Sequence, residues 1–338
     1  MSARSATAPP SAPPDVSVVV PTCRRPAMLA ICLNALAAQQ LDCTRYEIVV
    51  CDDGPDDRAT SAFIDRFATE HAPCGLTVRY VPVAVTQGPA AARNAGWRIA
   101  RAPLVAFTDD DTIPDPKWLA AGLAAVANAN AVAASGRIVM PLPERPTDYE
   151  LDASGLSRAE FATANVFVRR AALEATGGFD ERFTSAWRED SDLQFTLLNA
   201  GCRIVCADDA IVVHPVRPAH WGVSLQQQKK GVFEALLFRK HPAMYRQRID
   251  ARPPLCYYAI VTSAVCALLA SLAGIATLAW CVFLVWALLT TGFCARRLRH
   301  TRRDWRHLAE MVWTSLLIPF LSVYWRLYGA LRFKVMFL

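Results

Sequence analysis

Residues 255–293 contain no charged side chain, and this run limits the possible folds more than any other feature of the sequence. A membrane-spanning helix needs about 20 predominantly apolar residues, so the run has room for two. Gly274 lies near its middle and predicts a tight turn between them. Tyr257 and Tyr258 stand where aromatic side chains anchor spanning helices at the membrane surface. The sequence therefore predicts two transmembrane helices at 255–293.

Positive charge is concentrated on both sides of this run. Six arginines fall between Arg296 and Arg306, against the single acid Asp304, and further basic residues occupy 221–254. Because positively charged flanks stay in the cytoplasm, both ends of the hairpin are expected there, together with the domain that precedes it. The remaining segment, 294–338, is expected to be a basic loop and an interfacial or re-entrant helix, with a third span as the alternative.

The composition supports a membrane portion and argues against nucleic acid as a partner. Hydrophobic residues make up 53% of the 338 residues, which is high for a soluble protein. No zinc-finger spacing or RNA-binding motif accompanies the formal net charge of +6. The 11 cysteines include no Cys-x-x-Cys pair, so reduced cytosolic thiols are expected. Residues 1–14 are rich in Ala, Ser and Pro, lack a signal-peptide core, and are expected to be disordered.

Apolar runs alternate with helical patterns through the first third of the chain. We predict strands at 16–20, 46–51, 76–81 and 104–107, and helices at 26–40, around 63–67 and at 88–100. This alternation indicates an α/β fold with a Rossmann-like, mostly parallel sheet, which we assign to residues 15–220. No Gly-x-Gly-x-x-Gly follows the first strand and no Walker-type loop is present, which argues against dinucleotide-binding and P-loop proteins.

The alternation continues, with more interruptions, toward the basic linker. We predict helices at 116–127 and 189–200, strands at 132–140, 203–206 and 210–213, and an edge strand entering a short helix at 161–170. Apolar residues then recur at helical spacing from Ser224 to Lys240, among basic side chains. This pattern predicts an amphipathic basic helix within the linker 221–254.

Carboxylates directly follow two of the predicted strands. Three consecutive aspartates, 109–111, come after the strand at 104–107, and two more, 52–53, end the strand at 46–51. Because the carboxyl ends of parallel strands share the edge where ligands bind, these side chains are expected to lie together. Adjacent carboxylates repel one another, and a hard divalent cation shared with substrate phosphates would supply the opposite charge. The alternative is a solvated acidic turn.

Other candidate residues carry weaker signals. Small residues at the start of the helix at 88–100 let the backbone approach a phosphate, with Arg93 as a donor. Glu189 and Asp190 begin a predicted helix, where acids often only complement the helix dipole. His214 ends the last predicted strand, where a histidine is more often structural than a ligand.

Together these segments resemble the family 2 inverting glycosyltransferases with a GT-A fold, of the membrane-anchored bacterial type. The resemblance runs from residue 15 to residue 240 and rests on motifs in the expected order: Val20-Pro21-Thr22, Arg24-Arg25-Pro26, Asp52-Asp53-Gly54, Gly88-Pro89, Asn94-Ala95-Gly96, Thr108 to Asp111, Gly177 to Phe183, and Glu189-Asp190. It implies a hexosyltransferase with a nucleotide-sugar donor, a UDP-sugar being favoured. It also implies a multi-pass protein of the cell inner membrane that serves cell-envelope polysaccharide synthesis, with a cytoplasmic catalytic domain.

The resemblance also assigns roles by position. It implies a nucleotide site made by Thr22, Arg25, Asp52, Asp53, Arg93, Asp109 and Asp110. Mg²⁺ or Mn²⁺ would be held by Asp109, Asp111 and His214. Asp190 would act as the general base beside Glu189, removing the proton from the acceptor hydroxyl.

The acceptor and the extent of transfer follow from other features of the chain. The order of site-bearing domain, basic helix and uncharged run favours a lipid-linked or membrane-borne acceptor over a soluble one. A Gln-x-x-Arg-Trp processive motif is absent, so transfer of a single sugar is expected. The alternatives are an inert nucleotide-sugar-binding membrane scaffold and a metal-dependent phosphotransferase.

Overall fold

A computed structural model describes residues 13–54, 58–85 and 88–337. Most of the segment predicted to be disordered, 1–14, lies outside these ranges. The chain divides into two compact units. The first contains residues 13–137, 163–181 and 200–212, and the second contains 138–162, 182–199 and the rest of the described chain.

A mixed 8-stranded sheet organises the first unit, with strand order β3-β2-β1-β4-β7-β6-β8-β5. The strands are β1 (Val16–Thr22), β2 (Tyr46–Asp52), β3 (Thr77–Pro82), β4 (Leu104–Phe107), β5 (Ile113–Pro114), β6 (Ala133–Val139), β7 (Val166–Arg169) and β8 (Ile204–Val213). β1 runs parallel to β2 and β4, and β2 runs parallel to β3. The predicted α/β class is confirmed, and the predicted strand pair at 203–213 is one continuous strand.

The prediction of an edge strand at 161–170 is wrong. β7 lies inside the sheet and runs antiparallel to both β4 and β6. Its residues Val166 to Val168 are fully buried. A buried strand and an edge strand share the same short apolar pattern, and only the pairing distinguishes them.

The described chain contains helices in both units. They are α1 (Pro26–Ala37), α2 (Arg58–His71), α3 (Pro89–Ile99), α4 (Trp118–Asn128), α5 (Asp148–Ala153), α6 (Arg170–Thr176), α7 (Glu189–Asn199), α8 (Val223–Gln227), α9 (Val232–Lys240), α10 (Pro242–Arg248), α11 (Leu255–Leu272), α12 (Ala276–Arg297) and α13 (Trp305–Arg332). α3 packs on β1 and β2. A Cβ at Gly96 would lie 2.5 Å from a methyl group of Val19, so glycine allows this close approach.

The predicted continuous helix from Ser224 to Lys240 is wrong. The segment forms α8, a 3-10 helix at Gln228–Gly231, and α9. Most of α9 is buried, and its Phe233 and Leu237 pack in a cluster with Tyr245, Phe333 and Phe337 of the second unit. α9 is covered by other residues on several faces. Its mixed apolar and basic sequence pattern predicted only one buried face.

The uncharged run forms a helical hairpin, α11 and α12. The turn contains Gly274 at φ +75°, a conformation that favours glycine. Leu272 and Leu288 are 77% and 73% exposed, so the hairpin presents apolar side chains outward. Among the described residues, α11, α12 and α13 are the 3 helices long and apolar enough to cross a membrane.

The last helix, α13, occupies Trp305–Arg332, within the segment expected to contain a basic loop and an interfacial or re-entrant helix. Pro319 lies inside it, and Gly329 approaches the backbone carbonyl of Val232 so closely that a Cβ would lie 2.8 Å from it. α13 therefore packs on α9 as well as on the hairpin. The interfacial or re-entrant location of α13, with a third membrane span as the alternative, stays a prediction.

Candidate active site

The aspartate triplet occupies a tight, internally bonded turn after β4. Thr108 donates its hydroxyl to the carbonyl of Ala164 at 2.9 Å, and its oxygen lies 2.6 Å from that of Thr112. Thr112 in turn hydrogen-bonds the carbonyl of Asp109 at 2.8 Å. Both threonines are fully buried. The turn is therefore held by buried threonines, and successive aspartates can point in different directions.

Asp110 points into the protein. Its carboxylate accepts a hydrogen bond from the Thr22 hydroxyl at 2.7 Å and an ion pair from Arg25 at 3.0 Å, and its side chain is 1% exposed. Burial raises the pKa of Asp110 to about 6, although the Arg25 charge and the Thr22 hydrogen bond oppose the shift. Thr22 and Arg25, two other predicted nucleotide-site residues, thus both contact Asp110, and Asp110 positions their side chains.

Asp109 and Asp111 form a pair of neighbouring carboxylates. One oxygen from each lies within 4.8 Å of the other. Asp109 also accepts an ion pair at 2.8 Å from Arg93, whose side chain is 3% exposed and lies over the ring of Phe179. Carboxylate oxygens at this spacing are suitable donors for a hard divalent cation.

The two aspartates that end β2 are tied to their surroundings by separate contacts. Asp52 accepts hydrogen bonds from the Gly54 amide at 2.9 Å and the Tyr80 hydroxyl at 3.0 Å. Asp53 accepts one from the Gly88 amide at 2.8 Å, next to the start of α3. Burial raises the pKa of Asp53, while the Gly88 hydrogen bond lowers it. The carboxyl ends of the adjacent strands β2, β1 and β4 therefore carry the acids and the threonine of the predicted nucleotide site, whereas Arg25 precedes α1 and Arg93 lies on α3.

Asn94, a residue of the Asn94-Ala95-Gly96 motif, bonds to neighbouring protein groups and supports a turn, which its place in the motif did not indicate. Its amide donates to the Phe179 carbonyl and to Glu181, both at 2.8 Å, and its oxygen accepts the Phe179 amide at 2.9 Å. These bonds hold the turn at Gly178, which has φ +73° and no room for a Cβ beside Trp97. The glycine pair and Asn94 of the motif thus support the position of Arg93.

The predicted acceptor-side acids begin α7 in the second unit. Glu189 is buried, at 3% exposure, whereas Asp190 is half-buried. Asp190 accepts a hydrogen bond from the Ser191 amide at 2.6 Å, as expected for an anion at a helix N-terminus. Asp190 is therefore the more accessible of the two carboxylates.

A buried carboxylate, Glu234 of α9, holds the segment just before these acids. It accepts hydrogen bonds from Trp187 at 2.7 Å, Arg188 at 2.8 Å and the Tyr245 hydroxyl at 2.9 Å. Arg188 has φ +74°, a strained conformation for a residue with a side chain, and such strain persists only where the surroundings enforce it. Trp187 and Arg188 precede α7, and no periodic signal in the sequence links them to Glu234 of α9.

Replacing Glu234 by alanine is expected to lower the free energy of unfolding by about 3 kcal/mol. Trp187, the half-buried Arg188 and the buried Tyr245 hydroxyl would all lose the carboxylate that accepts their hydrogen bonds. Chemical denaturation of the full chain measures the change. Glu160→Ala is the control, since Glu160 pairs with Arg248 but is 58% exposed. Equal losses in the two variants would contradict the role given to Glu234.

Two basic side chains of the predicted amphipathic helix make contacts within the second unit. Lys230 lies 5.5 Å from the ring centroid of Trp187, and burial lowers its pKa while Glu189 raises it. Lys240 forms an ion pair with Asp192 at 2.7 Å. Lys240 is therefore paired with an acid of α7, and Lys230 packs on an aromatic ring just before that helix.

His214, the predicted third metal ligand, follows the last residue of β8 and belongs to the second unit. It is buried, at 7% exposure, and its backbone amide donates to the Val139 carbonyl at 2.8 Å. Its role as a ligand stays a prediction.

Curated relatives of this chain are glycosyltransferases from archaea and bacteria. It is 28% identical over 226 residues to "Glycosyltransferase AglE" of Haloferax volcanii, covering 64% of this chain and 71% of the relative. It is 28% identical to the validoxylamine A glucosyltransferase of Streptomyces hygroscopicus, covering 68% and 62%. It is 30% identical to the pre-mycofactocin glycosyltransferase of Mycobacterium tuberculosis, covering 62% and 45%. The chain thus spans less than two thirds of the last two relatives.

The fold is that of a solved glycosyltransferase. The mannosyltransferase PcManGT from Pyrobaculum calidifontis, determined with GDP-Man and Mn²⁺, superposes with a TM-score of 0.61 at 21% identity over 94% of this chain and 88% of that one. This similarity confirms the GT-A fold.

Two family models match the chain. "Glycosyl transferase family 2" matches residues 17–179, and "Glycosyl transferase family group 2" matches residues 104–295. The first match includes the aspartate triplet, and the second continues from β4 through the acidic pair into α12. The chain therefore belongs to the family 2 glycosyltransferases.

Proposed function

We propose that this enzyme transfers one hexosyl group, with inversion, from a nucleoside diphosphate sugar to an acceptor hydroxyl at the cytoplasmic face of the inner membrane, and that it depends on a divalent cation. The observation that carries the proposal is the division of the triplet. Asp110 is buried against Thr22 and Arg25, while Asp109 and Asp111 form a carboxylate pair beside Arg93. A solvated acidic turn would not bury its middle residue.

The donor is proposed to bind along the carboxyl ends of β1, β2 and β4. Asp52 and Asp53 supply acceptors suited to base and ribose groups, and Arg93 supplies a charged donor near the diphosphate. The ligands in the PcManGT structure, GDP-Man and Mn²⁺, support a nucleotide sugar and a divalent cation of this kind. Since that donor carries guanosine, the choice of a UDP-sugar rests on the sequence resemblance alone.

The cation is proposed to be Mg²⁺ or Mn²⁺, held by Asp109 and Asp111 with His214 as the third ligand. When bound, it would neutralise charge developing on the departing diphosphate. Asp190 removes the proton from the acceptor hydroxyl as that oxygen attacks the anomeric carbon, and Glu189 positions it. A single displacement inverts the anomeric centre, and the departing nucleotide carries away the bonding electrons.

The acceptor is proposed to be lipid-linked or otherwise membrane-borne, because the apolar hairpin and α13 follow the site-bearing residues. A soluble acceptor is the alternative, and two relatives, named validoxylamine A glucosyltransferase and pre-mycofactocin glycosyltransferase, support it. Removing the membrane helices by truncation near His241 would not show which kind of acceptor is used. The truncation would also remove Tyr245, Phe333 and Phe337, which belong to the core around α9.

The proposal is tested on the full chain reconstituted in lipid nanodiscs and supplied with a panel of UDP- and GDP-sugars. We expect transfer of one sugar to an extractable lipid fraction, loss of transfer in EDTA, recovery with Mn²⁺, and an inverted anomeric configuration by NMR. Donor binding without transfer or hydrolysis would indicate the inert scaffold. Transfer to soluble acceptors alone would overturn the membrane-borne acceptor, and retained configuration would overturn the single displacement.

A further inference from the structure

Arg24, two residues after the end of β1, has a backbone conformation that arginine seldom adopts. Its φ is +54°, in the left-handed region, where a residue with a side chain is strained. Such strain persists only where the surrounding structure enforces it, and it is concentrated at sites that bind ligands. The conformation of Arg24 therefore points to a role beyond linking β1 to α1.

Asp110 enforces this conformation from both sides of Arg24. Its carboxylate accepts the hydroxyl of Thr22 at 2.7 Å and pairs with Arg25 at 3.0 Å. The Asp53 amide also donates to the Thr22 carbonyl at 2.8 Å. The residues on either side of Arg24 are thus fixed by the buried middle residue of the aspartate triplet and by the end of β2.

The side chain of Arg24 lies beside Gly54, just after β2. A Cβ at Gly54 would lie 3.0 Å from Cγ of Arg24 and 3.2 Å from its Nε, so glycine leaves room for the arginine. Arg24 is exposed, and within the described ranges its guanidinium forms no ion pair, whereas Arg25 and Arg93 are paired with aspartates. Arg24 can therefore offer charged donors to a ligand at the carboxyl ends of β1 and β2.

The order of the strands indicates which part of the donor lies near Arg24. The proposed metal and diphosphate site is at the end of β4, and β1 and then β2 follow it in the sheet, with neighbouring strands about 4.8 Å apart. A donor that binds along these three ends places its diphosphate at β4 and its nucleoside toward β2. Arg24 is therefore on the base side of the site, and Arg93, which pairs with Asp109, is on the diphosphate side.

A guanidinium has N–H donors and no acceptor, so it favours the edge of a base that carries a carbonyl oxygen. Uracil and guanine have such an oxygen where cytosine and adenine carry an amino group. We propose that Arg24 recognises the base of the donor, and that the site accepts an oxo base, uracil or guanine, over its amino counterpart. The proposal rests on the proposed function, but free nucleotides test it without turnover.

The test measures the dissociation constants of UDP, CDP, GDP and ADP for the full chain in lipid nanodiscs with Mn²⁺, by isothermal titration calorimetry. The unmodified chain should bind UDP more tightly than CDP, or GDP more tightly than ADP, by about tenfold or more. Arg24→Asn should weaken binding of the preferred nucleotide about tenfold, the effect of losing one charge-assisted hydrogen bond, and leave the amino nucleotides nearly unchanged. Because asparagine tolerates the left-handed region, this variant should melt at the same or a higher temperature.

The matched control is Arg66→Gln, which removes the same charge from an exposed position of α2 in the same unit and should bind all four nucleotides like the unmodified chain. Equal weakening of all four nucleotides by Arg24→Asn would indicate a phosphate contact and overturn base recognition. A lower melting temperature with unchanged affinities would show a purely structural role and overturn it as well. Binding of none of the four by the unmodified chain would contradict the proposed function itself, whereas binding without preference between oxo and amino bases would overturn only the role of Arg24.

Discussion

The Asp111→Ala variant is expected to lose more than about 100-fold in metal-dependent transfer, since even changes to groups that only support a metal ligand cost 10–100-fold. Asp111 supplies one of the two neighbouring carboxylates at the end of β4, and no adjacent side chain replaces it, because Asp110 is already bonded to Thr22 and Arg25. The fold should survive, since the buried threonines hold the turn. Initial rates over a range of Mn²⁺ concentrations measure the loss.

The matched control for this variant is Asp208→Ala. Asp208 is an exposed carboxylate of β8 in the same unit, so its removal changes the net charge equally and should leave the rate unchanged. Melting curves of both variants show whether the fold is retained. Unchanged activity in Asp111→Ala, with EDTA still inhibitory, would place the cation elsewhere.

The Asp190→Asn variant is expected to transfer sugar about 10²–10⁴-fold more slowly while binding the donor as tightly as before, because only the proton acceptor is removed. Asparagine keeps an oxygen that can accept the Ser191 amide, so the start of α7 is preserved. Glu189→Gln should reduce the rate less, since Glu189 is buried and is assigned a positioning role. Single-turnover rates and donor titrations separate chemistry from binding.

Asp192→Asn provides the structural comparison within the same helical turn. Asp192 is 1% exposed, pairs with Lys240 and lies 3.1 Å from His241, so its loss should lower stability and leave the rate of the folded fraction near normal. If Asp190→Asn behaves like Asp192→Asn, its carboxylate only caps the helix. A greater loss of rate in Glu189→Gln than in Asp190→Asn would reverse the two roles.

The elements with strong local signals could be predicted from the sequence. The strand at Leu104–Phe107, the acids that follow it, and the hairpin turning near Gly274 all lie where expected. Each depends on interactions between near neighbours in the chain: a short apolar run, a breaker, or a length of uncharged helix. Family membership followed in the same way, because it rests on motifs in order.

Other features required contacts between distant residues. No local sequence pattern around the triplet indicated that the Asp110 side chain would point toward Thr22, which precedes it by 88 positions. Glu234 reaches Trp187 across 47 positions, and it lies on a helix that was predicted to be amphipathic but is mostly buried. Such long-range pairings depend on how the folded chain buries its apolar surface, and a short stretch of sequence does not contain that information.

The sequence by itself determined which residue types end which strands and where apolar helices begin, because local periodicity and charge decide both. Only the tertiary structure decided that β7 lies inside the sheet and that the basic segment after residue 223 breaks and packs inward. The physical reason is that strand pairing and burial depend on surfaces contributed by residues far apart in the chain, and those surfaces exist only once the chain has folded.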